Sequence, residues 1–185
     1  MSERRKNDYY PTASKLTLEL INRIPLDRKT ILEPCAGQNH IVDVLNTIPY
    51  AKVVGADIDP EMPTAKLLGK TYDARYSEVY EKFNPDWVVT NPPFNQAFEI
   101  LRMAYEHSKV GVALLLRLSF LEPTFERGEW LANHPPNTLI VLPRYSFTED
   151  GNTDSVTCAW MVWEHKKYDL FDIQIVSKGK KAKRD

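Results

Sequence analysis

The stretch from Val110 to Phe120 (VGVALLLRLSF) limits the fold more than any other, because its first charge comes at Arg117. A run of this kind reads as a central strand buried on both faces, and so it needs cover above and below. The rest of the chain offers that cover. Short apolar runs at Thr30–Leu32, Ala51–Ile58, Asp86–Val89, Asn137–Leu142 and Val156–Trp163 read as further strands. Lys70–Arg75 reads as a third short strand in chain order, and Phe171–Val176 as a short edge strand. Helix-period segments lie between them: Leu16, Leu18, Leu20, Ile21 and Ile24 in the first, Ala97, Ile100, Leu101, Ala104 and Tyr105 in a later one. Thr12 or Ser14 is placed to cap the first helix and Pro25 to close it. Strands alternating with helices predict an α/β fold, an open doubly wound and mostly parallel sheet. The last two long strands are joined by a short polar turn, so they should be antiparallel, which puts one antiparallel strand at or near the edge.

In such sheets ligands bind beyond the C-terminal ends of the strands. Glu33, Gly37, Asp57, Asp73 and Asn91 all fall at expected strand ends. Glu33 to Asn39 (EPCAGQN) is a loop of small residues between a strand and a helix, where Ala36 and Gly37 allow close backbone approach. Glu33 suits an ammonium group or a water. Asp57 suits both hydroxyls of a ribose, with Ile58 against a purine, while Asp59 turns the chain before Pro60. Asp73 suits an amino group, or is simply a turn residue.

Asn91-Pro92-Pro93-Phe94 follows the strand that contains Val88 and Val89. Two prolines fix two φ angles and remove two N–H donors, and each restrains the residue before it. The result is a stiff corner at a strand end. There the Asn91 side-chain oxygen and the Pro92 carbonyl can accept the two protons of an exocyclic amine, with Phe94 stacked on the ring that bears it.

A length of 185 residues predicts a single domain, with basic tails over 1–8 and 177–185 and no separate target-recognition domain. The formal net charge of -1 excludes a global field for polyanions, although basic tails can touch phosphate. Cys35 and Cys158 are the only cysteines, so neither a disulfide framework nor a metal cluster is expected. No signal peptide or bilayer-length apolar run is present. These features predict a cytoplasmic protein with reduced thiols, no metal and no membrane partner. Composition is silent on oligomeric state.

From Tyr10 to about Trp163 the chain resembles the S-adenosylmethionine-dependent amino-methyltransferases, in particular the DNA N6-adenine group. Tyr10-Pro11-Thr12 is similar to that family's N-terminal cofactor motif. Glu33-Pro34-Cys35-Ala36-Gly37 is similar to its glycine loop, with Asn39 where a second glycine is usual. Asp57 with Ile58 matches the ribose-binding position, and Asp73 with Ala74 the adenine-contacting one. Asn91-Pro92-Pro93-Phe94 matches the catalytic NPPF motif, whose Asn91 also borders the cofactor. Leu115–Glu122 and Cys158–Trp163 resemble small, often phage-encoded members.

The resemblance implies a Rossmann-like class I methyltransferase fold. It also implies S-adenosyl-L-methionine as cofactor and methylation of N6 of adenine in DNA, with the base flipped out of a duplex. Asn91, Pro92, Pro93 and Phe94 would be catalytic, and Phe94, Arg117, Tyr145 and Phe147 would meet the substrate. Arg127 and Arg144 are further candidates for phosphate. The same corner fits RNA adenine, cytosine N4 or a protein glutamine amide. A catalytically silent binding subunit of the same fold is an alternative whose one ground is Asn39.

Overall fold

The computed structural model describes residues 12–143, 156–166 and 172–175. Tyr10, Pro11, Arg144, Tyr145, Phe147 and both basic tails lie outside these residues. The first half of the chain builds α1 (Ser14–Ile21), β1 (Thr30–Glu33), α2 (His40–Leu45), β2 (Lys52–Gly55) and α3 (Pro63–Leu68). Next come α4 (Glu78–Phe83), β3 (Trp87–Thr90), α5 (Ala97–His107) and β4 (Gly111–Arg117). The chain closes with α6 (Phe125–Asn133), β5 (Thr138–Val141), β6 (Cys158–Glu164) and β7 (Asp172–Ile175).

These strands form one seven-stranded sheet in the order β2-β1-β3-β4-β6-β5-β7. All neighbours are parallel except at β6, which runs antiparallel to both β4 and β5. β4 is the central strand. Its side chains alternate between two cores, as period-2 geometry requires. Val112, Leu114 and Leu116 pack on one face, with Leu101 and Ala104 of α5, Met161 and Trp163. Ala113 and Leu115 pack on the other, with Leu16 and Leu20 of α1, Ile41 and Leu45 of α2, and Trp160. Gly111 at the start of β4 leaves no room for a side chain, since a Cβ there would lie 2.3 Å from the Trp163 carbonyl oxygen. The expected doubly wound, mostly parallel sheet is therefore present. Among the described residues no helix is long and apolar enough to cross a membrane.

Three expectations need correction. Lys70–Arg75 does not form a strand. Its Tyr72 N–H reaches the Asp57 carbonyl at 2.9 Å, but Asp73 then turns the chain, its carbonyl accepting from Tyr76 N–H at 3.1 Å. The central strand ends at Arg117, and Leu118–Leu121 winds into one 3-10 turn. Neither Thr12 nor Ser14 caps α1: the N-cap position is Ala13, without a side-chain bond, and α1 stops at Ile21, ahead of Pro25.

Candidate active site

The chain segments that follow β1, β2 and β3 meet around a cavity of about 300 Å³. Thr12, Pro34, Cys35, Ala36, Gly37, Asp57, Ile58, Asp73, Ala74 and Asn91 to Phe94 all line it. Residues as far apart in sequence as Thr12 and Phe94 thus converge at the strand ends, as a parallel sheet arranges them.

The loop after β1 is shaped by two residues with left-handed backbone. Gly37 has φ 50° and Asn39 φ 69°. Asn is among the few side-chain-bearing residues that adopt this geometry readily, so the loop closes without the second glycine. Ala36 N–H donates to the Ala56 carbonyl at 2.9 Å, tying the loop to the end of β2. Gly37 N–H donates to Asp57 Oδ2 at 2.7 Å and Asp59 N–H to Asp57 Oδ1 at 2.9 Å. Asp57 is 9% exposed, and burial raises its pKa against the pull of these N–H donors. A carboxylate has about four acceptor positions, so capacity remains on the side that lines the cavity.

Glu33 does not line the cavity; it is fully buried beneath the loop. Its Oε1 accepts the Cys35 N–H at 3.3 Å. Its Oε2 and the nearby Thr90 Oγ1 are buried without a hydrogen-bond partner of normal length. Burial is the main cause that raises the Glu33 pKa to about 8, the Thr90 hydroxyl and the Cys35 N–H lower it in part, and the Asp57 charge adds to the rise. Burial also pushes the Cys35 thiol up.

Asp73 differs from Asp57. Arg75 takes its carboxylate: Nη2 donates to Oδ2 at 2.6 Å, Nε to Oδ1 at 3.0 Å, and the Arg75 backbone N–H to Oδ1 at 3.0 Å. This pairing holds the Asp73 pKa below the usual carboxylate range. An amino group arriving at Asp73 would have to compete with Arg75. Asp59 turns the chain as expected, accepting Glu61 N–H at 2.9 Å.

At the corner, Asn91 Nδ2 donates to Thr12 Oγ1 at 3.0 Å, an amide orientation assigned from this contact. Thr12 is buried and reaches Asn91 across the sequence just ahead of α1. The Pro93 carbonyl accepts Gln96 N–H at 2.9 Å, which closes the turn into α5. Arg117, from the end of β4, lies over Phe94 with Cζ 4.5 Å from the ring centroid. Arg127 instead donates to the Glu122 carbonyl at 2.8 Å and lies over Phe120.

His40, Ile41, Met62, Tyr72, Gln96 and Ile100 also line the cavity. No motif marks them. Ile41 and Ile100 belong to helix faces that read simply as core. His40 directly follows the loop and Gln96 lies two residues past the corner, and that proximity was the one available signal.

No protein-family model and no curated protein sequence matches the chain. Solved structures do. A candidate RNA methyltransferase from Pyrococcus horikoshii superposes with TM-score 0.64 at 18% identity, covering 88% of this chain and 90% of that one. The chain has a Rossmann-like methyltransferase fold. A type I restriction-modification methyltransferase subunit from Streptococcus thermophilus superposes with TM-score 0.66 at 16% identity, over 92% of this chain. This chain spans about half of that subunit, 49% of its length. A Listeria monocytogenes protein described as a class I S-adenosylmethionine-dependent methyltransferase matches with TM-score 0.53 at 12% identity, over 88% of this chain and 61% of that one. Proteins described as methyltransferases therefore share this architecture, and at such identities the likeness speaks for fold alone.

Proposed function

We propose that the protein transfers the methyl group of S-adenosyl-L-methionine to an exocyclic amine, with N6 of adenine in DNA as the acceptor. The observation that carries this is convergence. One cavity is bounded by the Gly37 loop and Asp57 on one side and by the Asn91-Pro92-Pro93-Phe94 corner on the other. The neighbouring folds, an RNA methyltransferase candidate and a restriction-modification methyltransferase subunit among them, support a nucleic-acid acceptor.

The residues present fit the cofactor. Asp57, held by backbone donors, retains acceptor capacity for two ribose hydroxyls. Ile58 is half exposed beside it and suits a purine face. The buried Glu33 Oε2 is an orphaned acceptor under the loop, suited to reach an ammonium group through a water. Bound there, S-adenosylmethionine would supply an electrophilic sulfonium methyl group.

The amine of adenine is a poor nucleophile, because its lone pair is delocalised into the ring. Asn91 Oδ1 and the Pro92 carbonyl would accept its protons and favour a pyramidal nitrogen whose lone pair points at the reacting carbon. Thr12 fixes the Asn91 amide for this task. Phe94 would hold the ring by stacking. The contribution is one of position and local electrostatics, with no deep deprotonation. Asn39 adopts the left-handed backbone that a glycine would supply, which supports an active enzyme over a catalytically silent subunit.

The test is transfer of labelled methyl to DNA, RNA and a protein extract in parallel, with nucleoside analysis of the product. Label in N6-methyladenine of DNA is expected. Asp57→Ala should weaken cofactor binding at least tenfold. Asn91→Ala should preserve cofactor binding and lower transfer about 100- to 1000-fold, the scale seen when one oriented polar group is removed from a reacting centre. Near-normal turnover by Asn91→Ala would sink the proposed role of the corner.

A further inference from the structure

We infer that Arg117 holds the place of the acceptor base on Phe94 until the base arrives, then moves to that nucleotide's phosphate, so that the acceptor class is a polynucleotide. This rests on the reading of Phe94 as the platform for the acceptor ring.

The geometry begins with the sheet. Thr90 at the end of β3 is in register with Leu114, so β4 continues for three further residues past the corner's strand and delivers Arg117 beside it. The guanidinium carbon then sits 4.5 Å from the Phe94 centroid and covers one face of a ring that lines the cavity. Two other arginines are engaged elsewhere. Arg75 is clamped on Asp73, and Arg127 is bonded to the Glu122 carbonyl. Arg117 is exposed and pairs with no carboxylate among the described residues. A stacked guanidinium uses its planar face and keeps its edge donors for a second partner, and its fork matches a phosphate. At an exposed site a cation over a ring is held more weakly than a stacked base, so exchange favours the base. The displaced arginine is then beside a strand that carries a phosphate at every nucleotide. A glutamine amide or a free base brings no anion to receive it.

Binding of a labelled mixed-sequence single-stranded DNA, followed by fluorescence anisotropy from about 50 to about 200 mM salt, tests this without any need for methyl transfer. Arg117→Ala should weaken binding about tenfold at the lowest salt. It should also reduce the slope of log affinity against log salt by about 0.7, the value of one phosphate contact on a single strand. Arg117→Lys should retain the slope. An unchanged slope in Arg117→Ala would reduce Arg117 to a packing partner of Phe94 and overturn the inference, as would a wild type that does not bind the strand. Cofactor binding, measured by calorimetry on the same preparations, keeps the two ideas apart. DNA binding with the expected slopes but no cofactor binding would overturn the methyltransferase reading alone.

Discussion

The two halves of the sheet solve opposite problems. Every described residue lining the cavity lies between Thr12 and Ile100, and all but Thr12 follow β1, β2 or β3. There the strands are four residues long and end in buried polar groups, Glu33 and Thr90, with Asp57 just beyond β2. The other half is built on β4 and β6, each seven residues long and buried almost throughout. Its two large indoles are satisfied, Trp160 Nε1 donating to the Leu16 carbonyl at 2.7 Å and Trp163 Nε1 to the His134 carbonyl at 3.0 Å. Burying polar groups without full partners costs stability, and burying apolar surface supplies it. The contrast teaches that one half tolerates strand ends shaped for a ligand because the other half carries the packing.

The largest expected effect tests the packing side. Trp160→Ala should destabilise the protein by about 3–5 kcal/mol in urea denaturation, because it empties a core site and removes the indole's hydrogen bond to the Leu16 carbonyl. A loss under about 1 kcal/mol would contradict the assignment of stability to this half. Glu33→Gln tests the ligand side through pH. The folded pKa of Glu33 lies above its ordinary value of 4.5, at about 8. Its carboxyl therefore binds a proton more tightly folded than unfolded, and stability should fall as pH rises from about 4.5 to about 8. Each unit of such a shift corresponds to about 1.4 kcal/mol. Urea midpoints between those pH values should decline more for the wild type than for Glu33→Gln, and the variant should be the more stable at pH 8. Parallel profiles would show that the buried carboxyl is not the source. Asp73→Asn should have the smallest effect, weakening cofactor binding less than tenfold in calorimetry, since Arg75 already occupies that carboxylate. A loss as large as that of Asp57→Ala would mean that the ligand displaces Arg75.

Much of this contrast was legible in the residues. The uninterrupted apolar run of β4 required two cores, and the alternation of Val112 and Ala113 between them follows directly. The corner at Asn91 and the loop at Gly37 were marked by backbone chemistry that few other residues provide. Asp73 was less legible, because its behaviour depends on Arg75 two positions later. That short-range pairing favours a turn over the extended segment suggested by Lys70-Thr71-Tyr72. The contact between Thr12 and Asn91 bridges 79 positions and could not be read from either local sequence. The same holds for Arg117 on Phe94, which depends on how far β4 runs past β3.

The position of β6 has a consequence for how the chain is made. β6 lies between β4 and β5, yet it follows both in the sequence. A ribosome therefore releases every described cavity-lining residue, and both flanking strands, before the strand that joins them exists. Until Cys158–Glu164 emerges, the most apolar strand of the protein is an open edge on the nascent chain, able to pair with any other unfinished copy. Synthesis of β6 ends the interval in which the chain is prone to aggregate.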